Sequence, residues 1–172
     1  MHSEYQQAIE QYRHKVVTLA RYSLRSPVDA DDVAQEVFLK LWRHWPNVDQ
    51  EKRLAWLMRV THNAVIDFVR RRKSLRDALD DAVDVESLSV DGSQEEGDRE
   101  ALNAELVAAI RELDDPFRSI LVMRDIQGLS YADIAHCVEM NLSQVKVYLH
   151  RARRKLRENS RLRMRFEELA GS

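Results

Sequence analysis

A chain of 172 residues holds one mid-sized domain or two small ones, and its 44% hydrophobic content supplies a core for either, which excludes broad disorder. Four glycines and three prolines are too few for an all-β protein and leave long stretches that fit helices. One cysteine, Cys137, rules out an intramolecular disulfide, six scattered histidines give no metal-ligand spacing, and no apolar run approaches the ~20 residues of a membrane span.

The amino terminus, MHSEYQQAIEQYRHK, lacks the apolar core of a signal peptide, so a cytoplasmic location without membrane insertion is expected. The formal net charge of −2 conceals strong segregation. The expected architecture is all-α: a helical domain over 1–74, an acidic flexible linker over 75–100, and a second helical domain over 101–172.

In the first domain, DADDVAQEVFLKLWRHW reads as a helix opened by Asp29 and Asp32 and closed by Pro46. Val33, Ala34, Val37, Phe38, Leu41 and Trp45 form its apolar face. Asp32, Gln35, Glu36, Leu39 and Arg43 share the other side; an exposed leucine in a polar stripe is common, and a leucine in a polar rim is also the composition of a protein–protein contact. The next helix, RLAWLMRVTHNAVIDFVRRR, lines one face with Leu54, Met58, Thr61, Val65 and Phe68. It presents Trp56, Arg59, Asn63, Asp67 and Arg70 on the opposite face. From Arg53 to Lys73 its bases, Arg71 among them, face one acid, Asp67. An aromatic beside arginines and an amide suits single-stranded nucleic acid: bases stack, amides read edges, cations hold phosphates. Packing of Trp56 against a neighbouring helix is the plainer alternative.

The linker holds ten acids against Arg76 and Arg99. Such a segment repels itself and buries little, so an extended course is expected.

Gly128–Leu156 reads as two short helices joined by a turn. Ser130 with Asp133 three residues on is a capping-box start, and Asn141 with Gln144 is a weaker version. Val145, Leu149, Ala152 and Leu156 make a narrow apolar stripe. Ser143, Val147, His150, Arg151 and Arg154 lie opposite, with Gln144 and Lys146 at the edges. Hydroxyl, amide, methyl and guanidinium groups on one face are what a major groove requires, and the pattern is a helix-turn-helix with its recognition helix second. From Lys146 to Arg165 nine bases face one acid, Glu158, whereas a merely solvated face would mix signs. Cys137, beside Ile134 and Val138, reads as a small buried apolar residue. No nucleophile–base pair or phosphate loop stands out, so neither catalysis nor a cofactor is expected.

Taken together, these segments resemble the bacterial RNA polymerase sigma factors of the extracytoplasmic-function (ECF) group. DADDVAQEVFLKLW resembles the polymerase-binding helix of their second conserved region. RLAWLMRVTHNAVIDFVRRR resembles the adjoining helix that melts the promoter and reads the −10 element. LVAAIRELDDPFRSILVMRDIQGLSYADIAHCVEMNLSQVKVYLHRARRKL resembles the fourth region, which reads the −35 element.

The resemblance implies an alternative sigma factor, active in assembly and recognition rather than covalent chemistry. Its implied partners are core RNA polymerase (β′ and β subunits), promoter DNA and an anti-sigma factor. Asp32, Gln35, Glu36, Leu39 and Arg43 would dock on polymerase. Asn47, Asp49 and Gln50 in the loop PNVDQEK, with Trp56, Arg59, Asn63, Arg70 and Arg71, would meet −10 DNA. Ser143, Gln144, Lys146, Val147, His150, Arg151 and Arg154 would meet the −35 element. One departure from the family is visible: its turn before the recognition helix usually carries a glycine, and here stands Glu139-Met140. Two other readings stay open, a free-standing helix-turn-helix regulator and a sigma mimic that titrates an anti-sigma factor. A mimic should have lost the bases retained at Arg70–Lys73 and Arg151–Lys155.

Overall fold

A computed structural model describes residues 2–79 and 97–171. Among them every regular element is a helix.

Helix α1 (His2–Ser23) buries Ala8, Val16, Leu19 and Ala20. Helix α2 (Pro27–His44) starts two residues before the expected Asp29. Ser26 is its cap, with Oγ accepting from the Asp29 N–H at 3.3 Å, and Pro27 fills the first turn, where its missing N–H costs nothing. Val33, Ala34, Val37, Phe38, Leu41 and Trp45 are all buried, as the periodicity requires. Two 3₁₀ turns, Trp45–Asn47 and Gln50–Lys52, carry the chain into α3 (Arg53–Leu79). Together α1, α2 and α3 form the first lobe.

Helix α3 continues through Leu79, and α4 (Gly97–Glu112) begins ahead of residue 101, so both edges of the expected linker are helical. The extended acidic course expected between them falls on 80–96, outside the described residues.

In the second lobe, α5 (Phe117–Leu121) runs into a π-turn at Val122–Ile126. Gly128, at φ 71°, then lets the Leu129 N–H reach back to the Met123 carbonyl at 2.9 Å, setting Leu129 in the core. Helices α6 (Tyr131–Val138) and α7 (Leu142–Glu158) form the helix-turn-helix, and α8 (Ser160–Ala170) packs back on α4.

The two capping signals exchange rank. Ser130 Oγ accepts from the Asp133 N–H at 3.1 Å, a one-sided cap. Asn141 and Gln144 make the full reciprocal box: Asn141 Oδ1 accepts from the Gln144 N–H at 2.8 Å, and Gln144 Oε1 from the Asn141 N–H at 3.0 Å. The glutamine is one methylene longer than Asp133, which is the reach the return bond needs.

The lobes are not independent. Helix α6 lies on α3, α1 meets α4 and α5, and a contiguous apolar core runs through both lobes. Polar bonds cross the seam as well. Arg111 donates Nε and Nη2 to the Arg21 carbonyl at 3.1 and 2.9 Å, and Gln127 Nε2 donates to the Lys15 carbonyl at 2.7 Å.

Candidate nucleic-acid interface

Three surfaces carry the side chains singled out in the sequence. The first is the outer face of α2. Its buried stripe turns Asp32, Gln35, Glu36, Leu39 and Arg43 to solvent. Leu39 is 57% exposed on the rim of a groove of about 330 Å³ between α1 and α2, lined by Tyr5, Ile9, Arg13, Asp31, Gln35 and Phe38 among others. Tyr5 holds the two helices together, donating its hydroxyl proton to the Phe38 carbonyl at 2.7 Å. Trp42, 39% exposed and 4.8 Å from the Tyr5 ring, extends this apolar patch. Sequence reasoning missed it, although it lies three residues from Leu39, the spacing of helical neighbours.

The second surface joins the 45–52 turns to α3. Trp45 and Val48 anchor the turns in the core, with the Arg53 guanidinium 4.0 Å above the Trp45 ring, leaving Asn47, Asp49 and Gln50 exposed. Along α3, Asn63, Arg70 and Arg71 are exposed; Arg70 lies 4.0 Å from Asp67. Trp56 is half-buried against the core and 5.9 Å from the His44 ring, so part of its surface serves packing.

Arg59 differs from its neighbours on this face. Its Nη2 donates to Glu139 Oε1 at 3.0 Å, and its Nη1 lies 3.1 Å from His136 Nε2, both on the helix-turn-helix. Beside it the Cys137 thiol, 1% exposed, donates to the Ala55 carbonyl at 3.4 Å. Burial first, and then the nearby Asp133 carboxylate, push that thiol up to about 12, so it is inert where it sits.

One turn further along α3, His62 enters the second lobe. The Ser119 hydroxyl gives its proton to Asp115 Oδ1 at 2.6 Å, so its oxygen accepts from His62 Nδ1 at 2.9 Å. Asp115 also caps α5 through the Ser119 N–H and pairs with Arg118 at 2.7 Å. Burial holds His62 below the ordinary histidine range, against the pull of Asp115 and with the help of Arg118. Neutral imidazole is the form this site suits.

The third surface is α7. Val145, Leu149 and Ala152 are buried beneath it, and Ser143, Gln144, Lys146, Val147, His150, Arg151 and Arg154 are all exposed. Arg153 points elsewhere, forked onto both oxygens of Asp125 at 2.9 and 2.6 Å, a brace for the lobe. Arg154 has a loose partner in Glu158 at 3.8 Å. The −35 candidates thus share one open face, while the −10 candidates lie on the other lobe.

The chain matches the Sigma-70 region 2 family over residues 8–75 and the Sigma-70 region 4 family over 103–156. It is 32% identical over 151 residues to the ECF RNA polymerase sigma factor SigE of Mycolicibacterium smegmatis, covering 87% of this chain and 59% of that one. It is 30% identical over 128 residues to the ECF RNA polymerase sigma factor SigM of Bacillus subtilis, covering 74% and 77%. This chain is an ECF sigma factor. Such factors bind core RNA polymerase and promoter DNA and direct promoter-specific initiation. The fold of this sigma factor is that of the factor RpoE in complex with the anti-sigma factor NepR from Bartonella quintana (TM-score 0.73, 21% identity, 90% of this chain and 95% of that one). CnrH in complex with the cytosolic domain of CnrY shares it (TM-score 0.66, 23% identity, 91% and 86%). Among the described residues of the sigma factor, no helix is long and apolar enough to cross a membrane.

Proposed function

We propose a division of labour among the three surfaces. Asp32, Gln35, Glu36, Leu39 and Arg43 on α2 dock on the β′ subunit of core polymerase, and the second lobe meets the β subunit. Asn47, Asp49 and Gln50, with Trp56, Arg59, Asn63, Arg70 and Arg71, capture unpaired −10 bases and their backbone. Ser143, Gln144, Lys146, Val147, His150, Arg151 and Arg154 meet the −35 element in the major groove. Phosphate contacts supply affinity and base contacts supply choice. Capture of unpaired bases offsets about a few kcal/mol of unstacking. An anti-sigma factor clamps both lobes when the factor is silent, a reading supported by the solved neighbour RpoE, which is bound to the anti-sigma factor NepR.

Within α7, the capping box limits what Gln144 can read. Its Oε1 is turned back onto the Asn141 N–H, and its amide hydrogens remain. It therefore donates, to a purine N7, to guanine O6 or to thymine O4. It is not arranged for the paired donor–acceptor contact by which a free glutamine selects adenine. Arg151, exposed and without an ion pair among the described residues, is the phosphate contact of this face.

The observation that carries the proposal is the coexistence, on one chain, of an exposed apolar anchor at Leu39 and an open basic face on α7. Neither the free-standing regulator nor the mimic has use for both. Leu39→Asp tests it. Burying an unpaired charge against a partner costs several kcal/mol, so affinity for core polymerase should fall by about a hundredfold while the helical signal and melting midpoint hold. Unchanged affinity in a titration against labelled core would place the docking face elsewhere.

A further inference from the structure

Glu139 ends α6 in the left-handed region, at φ 56° and ψ 46°. Glycine takes up that conformation freely, and a side chain with a β-carbon does so under strain. A strained residue persists where something else requires it. Here the carboxylate is what the strain retains: Glu139 Oε1 lies 3.0 Å from Arg59 Nη2, a pair joining residues 80 apart across the seam between the lobes. His136 Nε2 takes the other arm of the same guanidinium at 3.1 Å. A carboxylate oxygen on a guanidinium offers the chemistry of a DNA phosphate oxygen in the same place.

We infer that Glu139 is a built-in stand-in for DNA backbone: it occupies Arg59, holds α6 on α3, and must be displaced before Arg59 can meet the −10 strand. The inference rests on the proposed −10 role of Arg59. The latch is selective. It engages the α3 face, whereas every proposed −35 residue of α7 stays exposed in the closed state. It is also weak by construction. The Arg59 and Glu139 side chains are 35% and 73% exposed, so the pair is screened by salt and biases the closed state without locking it.

Cys137, the chain's single cysteine, reports on the seam directly. It is 1% exposed with its sulfur against the Ala55 carbonyl, so parting α6 from α3 uncovers it. The test is the rate at which an aromatic disulfide reagent modifies the full-length native protein. E139G and E139Q should each raise that rate about two- to fivefold, the range of an exposed ion pair. In ~1 M salt the parent should approach the variants, because screening shrinks to a few ångströms. R59A removes the His136 contact as well and should be at least as fast, and R59A/E139Q should be no faster than R59A alone, since the bond to Glu139 is already gone there. E139G should keep or raise the unfolding midpoint, because glycine relieves the strained turn; a faster thiol in a protein no less stable is opening, not unfolding. Parental rates in both E139G and E139Q, or additive effects in the double variant, would overturn the latch. Promoter opening by the holoenzyme separates the underlying reading. If R59A shows the thiol coupling yet opens promoters as well as the parent, the seam contact stands, but the proposed competition with DNA is overturned because Arg59 is not a −10 residue.

Discussion

The basic helices α3 and α7 show the same composition in two different states. On α3, Arg59 is held by Glu139 and His136, Arg72 is tied to Asp29 at 2.6 Å, and Trp56 is half given over to packing. On α7, the buried stripe of Val145, Leu149 and Ala152 faces inward, the brace is delegated to Arg153, Arg154 has only a loose pair with Glu158 at 3.8 Å, and the proposed −35 residues stay exposed. A similar excess of arginine therefore says little about readiness to bind. What decides is whether a neighbouring element already supplies the acceptor.

The contrast is broken most directly by removing the α3 side chains proposed to hold unpaired bases. Base–aromatic stacking is worth roughly 1–3 kcal/mol, so Trp56→Ala and Asn63→Ala should lower open-complex formation about tenfold while closed complexes form normally. A template already opened across the −10 element should restore most of the loss. Permanganate footprints on the two templates measure both effects. If the variants open duplex promoters as well as the parent does, Trp56 is packing alone and the two helices do not share a task.

On α7 the contrast is sharpened by separating reader from anchor. Gln144→Ala should cost about 1 kcal/mol of stability through the lost cap, and about 1–3 kcal/mol of discrimination at one base pair. Gln144→Glu keeps an oxygen for the Asn141 N–H but loses the donors, so the preferred base should shift to cytosine, whose N4 amino group donates. Arg151→Ala should instead weaken all sequences alike and reduce the slope of binding against salt by about one. Salt titrations on a panel of substituted duplexes separate the two, and equal, sequence-independent losses would place the reading face elsewhere.

The smallest effect concerns the seam. His62 is buried and held neutral, with its pKa lowered by burial below the ordinary 6.5 despite Asp115 and aided by Arg118. When His62 is exposed, that proton is bound more readily than in the closed state. Its contribution is therefore fully present above 6.5 and is lost as pH falls below that value toward the lowered one. Amide exchange along α5 should quicken over that range in the parent and not in His62→Gln. A flat profile in both would mean that His62 stays solvated.

How much of this was legible in the sequence follows the range of the interactions. The apolar stripes, the αα turn at 139–140 and the exposed faces depend on residues a few positions apart, and helical periodicity encodes them. The capping signals were visible but ranked by residue type, when side-chain length determined which box closes. The contacts of Arg59 with Glu139 and of His62 with Ser119 span 80 and 57 residues, and no local pattern announces them. The one hint was negative: an acid where the turn would be easier with glycine. It marked the position as unusual without naming its partner.

The start of α7 couples promoter preference to fold maintenance. Gln144 closes the cap and, on our reading, offers its hydrogens to a base. Few residues can do the first, since the return bond needs an acceptor at the end of a side chain of this length. Drift at this position is thus narrow: glutamine and glutamate keep the helix start, one asking DNA for an acceptor and the other for a donor. A lineage of such factors would then change promoter choice here by a binary switch, with graded retuning left to positions such as Ser143 and Lys146, which carry no such structural duty.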